Sequence, residues 1–111
     1  MRTLMTDTAT LFSAPLIRSQ YKNVPDMENT TVLHTGKCSV QPFLAIEDEV
    51  DRDTTISQCR LISDDPGFYQ ATAQHYIEFQ DQIWKIDGKP FIWRYNGTVH
   101  HVELNMRMAE G

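Results

Sequence analysis

Four histidines, two cysteines and one dense run of carboxylates are the groups in this 111-residue chain whose types could do chemistry. His100 and His101 are adjacent. Neighbours on a strand point to opposite faces, so this pair could not share a metal ion without distortion. His34 and His75 lie far from them in sequence, which leaves a scattered set suited to structural or exposed roles. Cys38 and Cys59 show no Cys-x-x-Cys spacing, and a zinc site or disulfide framework needs more ligands set closer together. Two reduced, buried thiols are expected, with a disulfide under oxidation left open should their strands pair face to face. Ser39 with His34, or Cys59 with His75, could be drawn as nucleophile and base, but nothing in the flanking sequence supports either. There is no Gly-rich phosphate loop, Gly-x-Ser-x-Gly elbow or His-Glu-x-x-His helix. These residues predict neither an enzyme nor a cofactor or metal site.

The carboxylates concentrate in Phe43, Leu44, Ala45, Ile46, Glu47, Asp48, Glu49, Val50, Asp51, Arg52 and Asp53, where Arg52 alone opposes five acids. The run lacks the Asp-x-Asp-x-Asp-Gly register of a calcium loop. It reads as a solvated loop or as an interaction or gating loop. Trp84 and Trp93 read as core rather than as a ligand platform.

The elements that would position these groups follow from composition and patterning. Apolar residues at 41% and charged residues at 23% describe an ordinary globular chain, and this length supports one core. Ten basic against fifteen acidic residues give −5, which argues against a free-standing module that neutralises phosphates. The longest apolar run, Phe43 to Ile46, is far too short to span a membrane. No signal-peptide core follows Met1, so synthesis in the cytosol is the expectation. Twenty-five Thr, Ile and Val residues outnumber thirteen Ala and Leu. Several stretches alternate with period two and none sustains a helical period, so the chain reads as all-β.

Thr8 to Phe12 reads as a first strand, Leu16 to Lys22 as extended or loop-like, and Val24 to Asn29 as a turn. A second strand runs from Thr30 to Gln41, with Val32, His34, Gly36, Cys38 and Val40 on one face and Gly36 as a candidate bulge. Thr54 to Ser63 reads as a third strand. Asp64 to Gly67 marks a turn, and Phe68 to Gln74 has room for one helical turn. His75 to Phe79, Ile83 to Ile86, Phe91 to Tyr95 and Val99 to Met106 follow as strands. Asp87-Gly88 and Asn96-Gly97 are hairpin signals, which predict a meander. Ile77, Phe79, Trp84, Ile86, Phe91, Trp93, Val102, Leu104 and Met106 are the expected inward set. Together they predict a small β-barrel of six to seven mostly antiparallel strands in one domain. The N-terminal segment Met1 to Met5, the long first loop Leu16 to Asn29 (with Leu16, Ile17, Tyr21, Val24 and Met27) and the tail Met106 to Gly111 (with Met108) contribute little to that pattern and are candidate contact arms.

Several segments, taken in order, carry a resemblance. They are Thr35-Gly36-Lys37-Cys38-Ser39-Val40-Gln41-Pro42, then Asp51-Arg52-Asp53-Thr54-Thr55, then Tyr76-Ile77-Glu78-Phe79 with Ile83-Trp84-Lys85-Ile86-Asp87-Gly88-Lys89-Pro90, and finally His101-Val102-Glu103-Leu104. The series resembles the small head-to-tail connector proteins of long-tailed, non-contractile bacteriophages, especially the head-closure or stopper component of phages of actinobacteria. His75 departs from it, standing where an acidic residue is expected. The resemblance implies a virion protein assembled in the host cytoplasm as a ring, usually a dodecamer, with no cofactor and no membrane. Such a ring lies between portal and adaptor proteins and the tail terminator or completion protein. It holds double-stranded DNA in its lumen without sequence preference. By position, Phe43 to Asp53 would be the channel-gating loop. A tail terminator or tail-completion ring, and a small OB-type binding module, are the alternatives.

Overall fold

The computed structural model describes residues 5–42 and 58–109. Nine strands carry the described chain: β1 (Asp7–Ser13), β2 (Leu16–Ser19), β3 (Lys22–Pro25), β4 (Thr31–Pro42), β5 (Gln58–Ser63), β6 (Tyr76–Phe79), β7 (Gln82–Ile86), β8 (Phe91–Tyr95) and β9 (Thr98–Met108). The main sheet has the order β5-β4-β1-β6-β7-β9-β8, and β5 also pairs with β9. That added pairing closes six antiparallel strands into a barrel and leaves β8 outside the closure, attached to β9. The expected all-β small barrel is the observed fold. Closure leaves none of the six strands with an open edge along the paired stretches.

Period-two alternation fills the interior. Ala9, Leu11, Cys38, Cys59, Leu61, Ile77, Trp84, Ile86, Val102, Leu104 and Met106 form one buried cluster with Phe68 and Ala71. Phe68 comes from a single-turn 3-10 helix, Pro66–Gln70, which starts within the expected Asp64 to Gly67 turn and overlaps only the first part of the stretch expected to hold a helical turn. It is fully buried against the barrel strands. Phe12 and Tyr76, paired between β1 and β6, stack at 5.5 Å outside that cluster, under the Lys85 ammonium.

Three expectations fail, each for a local reason. β7, β8 and β9 do not form a meander. β7 and β8 pair in turn with the same edge of β9, and Asp87 leaves β7 still donating its N–H to Asn105 O at 2.7 Å. Gly88, at φ 82°, and Pro90 interrupt the pairing only briefly before β8 resumes it farther along β9, so Asp87-Gly88 is no hairpin turn. As a result Phe91 and Trp93 face outward, and Ile92 is the β8 side chain that packs on the core. The bulge on β4 sits at Leu33 rather than Gly36, because Leu11 pairs with His34 and Phe12 with Val32. One inserted residue inverts the alternation beyond it, so Leu33 packs inward and Val32 is exposed.

Leu16 to Lys22, expected to be extended or loop-like, is extended and belongs to the β2–β3 hairpin, with Ile17 opposite Val24 and Ser19 opposite Lys22. The hairpin's two-residue turn, Gln20-Tyr21, uses no positive φ. The Gln80-Asp81 turn between β6 and β7 does, at 53° and 62°, as does Asn96-Gly97 at 52° and 78°. Met5 and Met106 are buried, and Met108 is the last residue of β9, half-buried against the core. Met106 and Met108 belong to the barrel rather than to an arm beyond it, because β9 continues pairing with β5 and β7 through this stretch.

Candidate functional site

Three places on the described surface combine shape with chemistry. The first is an opening at one end of the barrel, a cavity of about 480 Å³. Asp7, Pro42, Cys59, Phe79, Trp84 and Met108 are among its lining residues. Val40 N–H donates to the Asp7 carboxylate at 2.9 Å, so that group is already engaged. The Trp84 indole N–H is buried without a hydrogen-bond partner among the described residues. Burial pushes the Cys59 thiol up to about 11. It pushes Cys38 up to about 12, with the Asp7 and Asp65 carboxylates adding to the effect. Both thiols are neutral at ordinary pH, whereas a cysteine nucleophile works as the thiolate. β4 and β5 do pair, but Cys59 lies opposite Pro42 and Ser39 opposite Ile62, so the two cysteines are staggered along the ladder and free.

The second place is a polar latch over the single-turn helix. His34 Nε2 and Asp65 Oδ2 lie 2.8 Å apart, and the Phe68 ring meets the imidazole edge-on at 5.0 Å. Asp65 also caps the helix, accepting from Gly67 N–H at 3.1 Å. The fully buried Ser63 hydroxyl donates to Lys37 O at 2.7 Å and accepts from Asp65 N–H. Serine, histidine and aspartate thus meet, but not as a triad: the serine proton goes to a backbone carbonyl, not to the imidazole. A Cβ on Gly36 would overlap the Asp65 carboxylate and one on Gly67 would overlap the His34 ring, so both glycines are required by close packing. His34, drawn from sequence as the base for Ser39, meets Asp65 instead, and Ser39 sits opposite Ile62 in the ladder. His75 Nδ1 accepts from Thr72 N–H at 3.2 Å instead of meeting Cys59.

The third place is the outer face of β8 and β9. Phe91, Trp93 and Tyr95 are 56%, 45% and 71% exposed. The Trp93 ring lies 5.8 Å from His101 and nearly parallel to it. Trp93 pairs with His101 and Arg94 with Val99, leaving His100 as an extra residue in β9. That bulge overturns the expectation that His100 and His101 point apart, since their Nδ1 atoms lie 2.8 Å from each other. His101 Nε2 is 3.3 Å from Glu103. No group of three or more His, Cys, Asp or Glu side chains among the described residues gathers to hold a metal ion.

Of the candidate contact arm, Leu16 is 66% and Tyr21 92% exposed, with Ile17 and Met27 also exposed and Val24 half-buried. Pro25, Met27, Tyr76, Lys85 and Met108 border a groove at the foot of the hairpin. The candidate gating segment, Phe43 to Asp53, lies outside the described residues; Pro42, the last residue of β4, pairs with Cys59, the second residue of β5, at the barrel opening.

No known protein family and no curated protein matches this sequence. The fold is similar to the solution structure of protein SF1141 from Shigella flexneri 2a, with a TM-score of 0.58 and 16% identity. The likeness covers 94% of this chain and 92% of that one. At that identity it speaks for the barrel fold and nothing more.

Proposed function

We propose that this chain is a structural subunit of the head-to-tail connector of a long-tailed, non-contractile phage. It forms a ring between the portal and its adaptor on one side and the tail on the other, closing the DNA channel after packaging and letting DNA leave on infection. The observation that carries the reading is the β2–β3 hairpin, a short arm whose apolar side chains are exposed in the isolated chain. Arms of this kind suit assembly, where ordering and burial happen together. The small barrel and the series of segments resembling connector proteins support the same reading.

The acidic segment from Phe43 to Asp53 fits a gate. A channel that moves DNA should not bind it, since each neutralised phosphate slows passage, and carboxylates facing the axis repel the duplex. A ring of such loops narrows the channel by crowding and opens by collective movement. Incubating the purified chain with DNA-filled heads lacking necks, and separately with tail tubes, tests the proposal. Attachment at the portal vertex is expected. Attachment to tail tubes alone would make the chain a tail terminator instead, and attachment to neither would overturn the connector reading.

The aromatic face of β8 gives one observation in favour of the OB-type alternative, since exposed aromatic rings can stack bases. Glu103 on the same face and the charge of −5 weigh against it. Tryptophan quenching by single-stranded oligonucleotides at low salt would favour it.

A further inference from the structure

We infer that copies of this chain join head to tail, the β2–β3 hairpin of one copy adding to the free edge of β8 in the next. The inference rests on the ring reading in taking the partner to be a second copy, and it names the surfaces that meet.

Each surface is incomplete in the isolated chain. The hairpin has four residues per strand and no buried residue in either. A two-stranded ribbon of that size is marginal alone, and a third strand with an apolar face is what such ribbons lack. β8 supplies one. It is the terminal strand of the main sheet, hydrogen-bonded to β9 along one edge and to no described strand along the other. An edge strand that also carries exposed aromatic side chains attracts another strand unless something covers it. Five residues in β8 against four in β2 or β3 match in length, so main-chain pairing along the whole hairpin is available, the mode of β-strand addition.

The distribution of apolar exposure agrees. Eight large apolar side chains are exposed among the described residues; Leu16, Ile17 and Tyr21 belong to the hairpin, and Phe91, Trp93 and Tyr95 to β8. The two groups together offer roughly 700–800 Å² of apolar surface. In interfaces a little over half apolar, that corresponds to a total contact above about 1,200 Å², within the range of stable specific contacts. The two patches differ from one another, as a head-to-tail contact requires, and one chain carries both halves. One such contact therefore covers the hairpin of one copy and the β8 face of the next.

Two double variants test the contact, Ile17→Ser with Tyr21→Ser on the hairpin and Trp93→Ser with Tyr95→Ser on β8. Sedimentation velocity at submillimolar concentration is the readout, with far-UV circular dichroism to confirm that each variant keeps the barrel. The wild-type chain is expected to sediment as an oligomer and each variant alone as a monomer. An equimolar mixture of the two variants should form a dimer and nothing larger, because one intact hairpin meets one intact β8 and both chains then end. A monomeric wild-type chain, variants that assemble like the wild type, or a mixture without dimer would each overturn the inference. So would oligonucleotide binding at Trp93 by a chain that stays monomeric. The connector reading fails separately: oligomers that pair through these surfaces but ignore DNA-filled heads would sink it and leave the contact standing. Variants that still form rings on heads would do the reverse.

Discussion

The two tryptophans separate core from surface, and replacing each gives opposite expectations. Trp84 is 7% exposed, pairs with Ile77 on β6 and Met108 on β9, and forms part of the wall between the core and the barrel opening. Trp84→Ala removes about 200 Å² of buried apolar surface, which at about 25 cal/mol per Å² predicts a loss near 5 kcal/mol. Collapse of the site reduces this to about 3–5 kcal/mol, a large share of the 5–15 kcal/mol that holds an average domain together. Trp84→Phe should cost less than about 2 kcal/mol, because it also removes the indole N–H that is buried without a partner among the described residues, and an orphaned donor costs about 1–3 kcal/mol. At concentrations where the chain is monomeric, Trp93→Ser should change stability by no more than about 0.5 kcal/mol, as exposed substitutions do. Urea unfolding followed by far-UV circular dichroism avoids reliance on the replaced fluorophore. A shift below about 1 kcal/mol for Trp84→Ala, or a large shift for Trp93→Ser, would refute the assignment of inner and outer faces.

Other predictions follow from the latch, the thiols and His75. Gly67→Ala should destabilise more than His34→Ala, since the added Cβ meets the imidazole while the His34 truncation removes one partly exposed polar contact; the double variant should recover part of the Gly67→Ala loss in thermal melts. Cys38 and Cys59 should resist a thiol reagent at pH 8 in the folded chain and react on unfolding, with rates tracking global opening. Because their folded values lie above those of the unfolded chain, stability present below about pH 8.5 is lost as pH rises toward 11. Burial, and then the nearby Lys85 ammonium, hold His75 below its ordinary value, so the unfolded chain binds the proton first. The stabilisation it confers is present above about pH 6.5 and declines as pH falls through the lowered folded value; His75→Gln should flatten that part of the stability curve.

Much of the barrel is legible in the sequence. Alternation in Ile77, Trp84 and Ile86 and in Val102, Leu104 and Met106 marks the inward face, and Asn96-Gly97 marks a turn with both φ values positive. What is missed has physical causes. Phe91-Ile92-Trp93-Arg94-Tyr95 has large apolar groups on both alternating faces, so local pattern does not tell which side packs. The decision comes from β9, which β5 occupies on one edge and β7 and β8 share on the other. The bulges at Leu33 and His100 carry no glycine, yet each reverses the alternation or brings two neighbours together. Gln80-Asp81 adopts positive φ without the usual residues because the β6–β7 ladder pays for it. His34 and Asp65 are far apart in sequence, and the paired glycines at 36 and 67, each packed too closely for a Cβ, are the signal that could have joined them. The exposed hairpin and β8 face, where contacts are proposed, become visible only once the closed barrel shows which apolar residues it leaves out.

Cryo-electron microscopy of DNA-filled heads carrying the bound chain tests the central claim most directly. The account predicts a closed ring at the portal vertex in which each hairpin lies along β8 of its neighbour and Glu47, Asp48 and Glu49 point toward the axis. A chain absent from the vertex, or a ring with those carboxylates on its outer rim, would contradict it.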